Sequence, residues 1–214
     1  MKILNTMKIA LITLLPFFML QSCGSSTSER IEDEQLSSFM LGGIYFFNGY
    51  GDTNDVANMM IGAGYTTDQE LVGGYKEILE FPFDSSQASG IKSVFKSMWS
   101  INNKEQLVES INDLKTREHP YKAWDYARIV NNANMGYACG FLTKEEVIKT
   151  TLEILPLARE KFKNWDDYFA DFNKGRIDWN PEDKDSKSFE NLVNTITKYD
   201  RSIYKILPLN ADKE

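Results

Sequence analysis

Between Tyr121 and Met135 the residues Trp124, Arg128, Asn131 and Met135 fall at i, i+4, i+7 and i+11, so a helix would carry them on one continuous stripe. A guanidinium and a carboxamide on the face of a tryptophan must be paired or open to a cleft, because burying a bare charge is costly. Two chemistries fit. One is a structural ion pair from Arg128 to an acid such as Glu146, Asp171 or Asp178; the other is a binding group that grips an anionic or amide moiety. Arg176, between Gly175 and Trp179, could bring a second positive group to the same cleft, or stand exposed or stacked at a helix C-terminus. Tyr137, Trp165 and Trp179 suit a core as well as a binding box.

Other chemistries find less support. His119 is the only histidine, so one chain cannot build a two-histidine metal site, and no metal or cofactor is implied. A Cys139–His119 dyad or a Ser–His pair is formally available, but no nucleophile motif surrounds either. Paired carboxylates for a hydrolase lie within the composition, yet no pair stands out among the 31 acids. Gly62-Ala63-Gly64 lacks the third glycine and the preceding strand of a dinucleotide fingerprint. The net charge of −7 and sequence pI of 4.9 remove the basic footprint that nucleic acid requires.

The N-terminus reads as an address. Lys2 and Lys8 precede the uncharged run Ile9 to Leu20, which at about 1.5 Å per residue is too short to cross a hydrocarbon core of about 30 Å. With Leu20-Gln21-Ser22-Cys23 behind it, the segment resembles a bacterial lipoprotein signal, and Met7 would serve as well as Met1 for its start. Residues 1–22 are then the signal peptide, residues 23–30 the lipidated Cys23 and a flexible tether, and the folded body begins near Ile31. Cleavage leaves 22 basic against 31 acidic side chains, a balance of −9 that repels anionic headgroups, so only the lipid on Cys23 should touch membrane. Gly24 supplies no inner-membrane retention signal, so the expected place is the cell envelope, with the outer membrane favoured over the inner. With Cys23 acylated, Cys139 is the sole thiol and no intrachain disulfide forms.

The elements that must position the chemistry are helical. Leu107, Val108, Ile111 and Leu114 mark a helix over 104–117, with Asn103 and Gln106 as a capping box. His119-Pro120 breaks it, and a second runs from Tyr121 to Met135, ended by Gly136. Thr143 and Glu146 cap a third, whose buried stripe is Val147, Thr151, Ile154, Ala158 and Phe162; Pro156 inside it predicts a kink without termination. Asn164 opens a helix closed by Gly175, and Phe189, Leu192, Val193 and Ile196 mark the last. Eight of the thirteen glycines lie between Phe39 and Gly74, where helices packed at small residues are expected. The reading is an all-α, single-domain bundle of about six to eight helices, with a Gly-rich helical part over 31–98 and a second part over 99–214.

From Trp99 to Trp179 the chain resembles an uncharacterised bacterial family, the domain of unknown function 1266. The residues that carry the likeness are Trp99-Ser100-Ile101, Ala123-Trp124-Asp125 with Arg128, Gly136-Tyr137, Gly140 to Glu146, Pro156, Phe162, Trp165 to Tyr168, Gly175-Arg176 and Trp179. The resemblance implies an all-helical domain and brings no catalytic residue with it. The functional expectation is therefore a lipid-anchored, non-enzymatic binding or interaction module with an unknown protein or small-molecule partner. The alternative is a carboxylate-dependent hydrolase of the envelope.

Overall fold

From Arg30 to Asn210, the residues that the computed structural model of the protein describes, the chain forms helices and no strand. The expected signal segment, Cys23 and the expected tether up to Glu29 lie outside those residues. Eleven α-helices follow in order: α1 (Glu34–Met40), α2 (Gly43–Tyr50), α3 (Thr53–Gly62), α4 (Asp68–Leu79), α5 (Ala88–Val94), α6 (Lys104–Thr116), α7 (Lys122–Ala138), α8 (Lys144–Lys161), α9 (Trp165–Trp179), α10 (Ser186–Thr195) and α11 (Ile203–Ile206). That exceeds the six to eight expected, and the excess is short: seven of the helices have ten residues or more. A π-helical turn, Phe95–Trp99, continues α5.

Helix α7 sits in the middle. Residues all round its circumference are buried, Ala123, Ala127, Ile129, Val130, Ala133 and Ala138 among them, and α6, α8 and α9 pack against it, with α2 and α5 also in contact. A helix covered on every side has no solvent face to give it a 3.6-residue stripe, so its polar residues stand out as the anomaly. The Gly-rich half and the later half share one core, since α1 packs on α8, α4 on α11 and α2 on both α7 and α10. The unit that holds them begins at Ile31.

The caps explain the boundaries. At α8 the Glu146 N–H donates to Thr143 Oγ1 at 3.2 Å and the Thr143 N–H to Glu146 Oε2 at 2.9 Å, the reciprocal pair expected from the sequence. At α6 only half of the box forms: Asn103 Oδ1 accepts from the Gln106 N–H, while Gln106 Oε1 accepts from Asn102 instead. Helix α8 runs through Pro156 and ends after Lys161, so the proline does not terminate it.

Two glycines read as helix ends are helix interior. Gly136 lies within α7, and the turn that ends that helix uses Gly140 at φ +75°, a conformation that a side chain disfavours. Gly175 lies within α9. A Cβ there would come within 2.8 Å of Trp124 Cβ and 2.9 Å of Tyr121 Cβ, so the missing side chain is what lets α9 approach α7. Gly73, in contrast, has open space around its Cβ position in the middle of α4. Gly175→Ala should therefore lower stability by about 1 to 3 kcal/mol, the usual cost of overpacking. Gly73→Ala should raise it by up to about 1 kcal/mol through helix propensity. Thermal or urea unfolding of the two variants should show shifts of opposite sign.

Candidate functional site

The polar residues of α7 are organised by Asp125, whose side chain is fully buried. Its Oδ1 accepts from Arg117 Nη2 and from Arg128 Nη2, each at 2.5 Å, while Oδ2 faces Lys122 Nζ at 3.3 Å and His119 Nδ1 at 3.5 Å. Lys122 is buried as well, and its ammonium also donates to the carbonyls of Leu114, Lys115 and Arg117 at the C-terminus of α6. Those unpaired carbonyls carry the negative end of the helix dipole, which makes them a favourable seat for a cation. The α6–α7 corner is thus closed by one carboxylate and three basic side chains.

Arg128 is held at this centre and aimed elsewhere. Its guanidinium carbon lies 3.4 Å from the centre of the Trp124 ring and 5.7 Å from that of Trp99, and its Nε donates to the Trp124 carbonyl at 3.3 Å. Burial pulls the Arg128 pKa down from its ordinary value, opposed by Tyr45 and Asp125, and an arginine so placed stays protonated at neutral pH. Beyond it opens a cleft of about 300 Å³, lined by Tyr45, Val94, Met98, Trp99, Trp124, Arg128, Asn131, Asn132, Met135, Arg176 and Trp179. Helix α2, the end of α5 with the π turn that continues it, and the helices α7 and α9 supply those walls.

The stripe of Trp124, Arg128, Asn131 and Met135 does line one cavity, with Asn131 Nδ2 resting 3.2 Å from Met135 Sδ. Arg176 joins it from α9, stacked 3.8 Å above the centre of the Phe189 ring and paired with Asp183. The acid partner of Arg128 is corrected. Glu146 is engaged by Lys104 at 2.5 Å and does not line the cleft, Asp171 accepts from the Ala123 N–H at 2.8 Å, and Asp178 is exposed. The partner is Asp125, three residues back on the same helix, where i and i+3 side chains are neighbours. Tyr137 and Trp165 lie outside the cleft, packed against or within the core.

Two residues of the cleft give no signal in the sequence. Asn132 is 1% exposed, and neither atom of its amide finds a partner. Tyr45 comes from the Gly-rich half; burial raises its pKa against the pull of Arg128 and Arg176, so its hydroxyl keeps its proton at neutral pH. A carboxamide one residue beyond Asn131 offered no periodic signal, and Tyr45 is remote in the chain. The Cys139–His119 dyad is excluded by distance, because the two residues flank opposite ends of the 17-residue α7, a helix length of about 25 Å. Among the described residues no group of His, Cys, Asp or Glu could hold a metal ion, and no helix is long and apolar enough to cross a membrane.

Fold and site together define an all-α domain with an aromatic cleft that presents two arginines from neighbouring helices. Residues 115–210 match the model of a family described as a protein of unknown function, DUF1266. The match begins at the end of α6 and takes in α7 to α11. It therefore starts later than the likeness read from the sequence, leaving out Trp99 to Ile101, and continues past Trp179. No curated protein and no solved structure matches the chain.

The pairing predicts an order of stability losses. Asp125→Ala leaves Lys122 and Arg128 buried without their carboxylate and should cost about 3 to 5 kcal/mol. Arg128→Ala leaves Asp125 still held by Arg117 and Lys122, and should cost less, about 1.5 to 3 kcal/mol for the lost charged hydrogen bond. Denaturant unfolding would rank the two, and an Arg128→Ala variant less stable than Asp125→Ala would contradict Asp125 as the centre.

Proposed function

We propose that the domain is a non-enzymatic binding module that takes a ligand, or a group presented by a partner, in the cleft between α7, α9 and the π turn, and that lipid on Cys23 holds it at the cell envelope. The observation that carries the binding reading is the buried Asn132 amide, unpartnered at the wall of an open aromatic cavity. A buried amide without partners costs about 1 to 3 kcal/mol, and such groups persist in folded proteins mostly where something else completes them. The cleft also has the usual make-up of a small-molecule site, apolar and aromatic walls with a few convergent polar groups. The exposed Trp179 and Met98 at its mouth add apolar surface that the fold itself does not use.

The hydrolase reading draws no support from this cleft. Glycoside hydrolysis by a pair of carboxylates places them about 5 to 9 Å apart across the scissile bond. None of the residues lining the cleft is Asp or Glu, and Asp125 and Asp183 are spent on arginines. The anchor rests on the order of charge, apolar run, small residue and cysteine at the N-terminus, with the outer membrane favoured by Gly24.

Screening a fragment library by protein-observed NMR tests the cleft. Fragments that bind should move the indole N–H signals of Trp99, Trp124 and Trp179 and spare that of Trp165, and Trp179→Ala should weaken them with little change in melting temperature. Fragments that gather at another surface would defeat the reading. For the anchor, an alkynyl fatty acid fed to cells should label the wild-type chain and leave Cys23→Ala unlabelled; persistent labelling of that variant would exclude Cys23 as the acceptor.

A further inference from the structure

The polar groups of the cleft are unequal in kind. Arg128 spends Nη2 on Asp125 and Nε on the Trp124 carbonyl, which leaves Nη1. Arg176 spends Nη2 on Asp183, and its Nε has no well-aligned partner; nor does the Trp124 Nε1. The Tyr45 hydroxyl is within hydrogen-bonding reach of both side chains. Asn132 adds Nδ2 to the donors and Oδ1 as an acceptor. Donors outnumber acceptors, two of them on permanent cations.

Charge points the same way. Asp125 answers Arg117, Lys122 and Arg128 together, and Asp113 lies 3.9 Å from Arg117, so two negative charges stand behind three positive ones. No acid lines the cleft to correct the surplus. The net charge of the whole chain, −7, acts at longer range, where salt at physiological strength screens beyond about 8 Å. Inside the cavity the nearby guanidiniums prevail.

Resting on the binding reading above, we infer that the ligand carries a carboxylate on an apolar body, its oxygens received by Arg128, Arg176 and Asn132 and its body lying between Trp99 and Trp179. With Nη2 of each guanidinium already spent, a carboxylate takes the remaining N–H groups singly and supplies the acceptors the donors lack. The flat indoles and Met135 provide the dry surface for the body. A cationic ligand would meet two arginines, and the best aromatic face for it is already covered by Arg128.

The test compares three probes that share one body: 3-phenylpropionate, 3-phenylpropionamide and 3-phenylpropylamine, titrated against intrinsic tryptophan fluorescence. Three of the four tryptophans line the cleft, so occupancy reads directly. The carboxylate should saturate tightest, the amide more weakly and the amine least. Charge at the mouth gives a second arm that leaves the buried groups alone, because Met98 is 67% exposed. Met98→Glu should weaken 3-phenylpropionate about three- to tenfold, as a like charge several ångströms away does in a partly aqueous setting, and Met98→Lys should tighten it, with the amide unmoved by either. A pentapeptide ending in phenylalanine, as free acid and as amide, tells a chain terminus from a free small acid by whichever carboxylate binds tighter, and either result supports the inference.

Amine or amide binding at least as tight as the carboxylate would overturn the inference while leaving the cleft a binding site. So would a carboxylate affinity indifferent to charge at position 98. Silence from all three probes to about 10 mM, beyond which binding is weaker than about 3 kcal/mol, overturns it too, and the fragment map then decides separately whether the cleft binds anything.

Discussion

A single buried carboxylate sets the terms for the rest of the domain. Asp125 lies inside the central helix, and its ionised form is tolerable there only because Arg117, Lys122 and Arg128 close around it. Each of those three residues is then fixed in place for a different purpose. Lys122 plugs the carbonyl end of α6, Arg117 reaches back from the residue after that helix, and Arg128 is levered over Trp124 to face the cleft. The corner between α6 and α7 and the floor of the cleft therefore share one electrostatic centre. Disturbing the ion cluster to relieve its desolvation would also free the guanidinium that the cleft depends on.

Steric constraint does the complementary task along the Trp124 face of α7. Gly175 allows α9 to lie against the Cβ atoms of Tyr121 and Trp124, which brings Arg176 and Trp179 within reach of Arg128. Gly136 allows the Leu107 side chain of α6 to lie against α7, and Gly42 does the same for Val130 from the corner between α1 and α2. Close approach at small residues, followed by large aromatic side chains just beyond the contact, is what produces a cavity instead of a filled core.

Much of this was legible in the sequence where one face of a helix meets water. The apolar stripes of α6, α8 and α10 and the reciprocal cap at Thr143 and Glu146 give those elements away, because their periodicity is a record of a one-sided core. Helix α7 keeps no such record, being covered all round, and only its stripe of chemistry-bearing residues hinted at a shared face. Glycine is ambiguous in a sequence: the same residue type ends helices and admits close neighbours, and Gly136 and Gly175 do the second. For Arg128 the sequence offers Glu146, Asp171 and Asp178 at long range, while the local i, i+3 geometry supplies Asp125. The short helix α11 and the segment to Leu209 went unread. They have too few turns for a period, although Trp165 Nε1 donates to the Leu207 carbonyl and Arg159 Nε to that of Leu209.

Cys139, at the far end of α7, is buried with its thiol near the Ala88 carbonyl, and burial raises its pKa. A sulfur so placed is a poor nucleophile and a poor target for oxidants. Since no second cysteine stands among the described residues, the folded body has no covalent crosslink to gain or lose. The described body is consequently held by packing and charge alone, with no disulfide whose formation its folding must await.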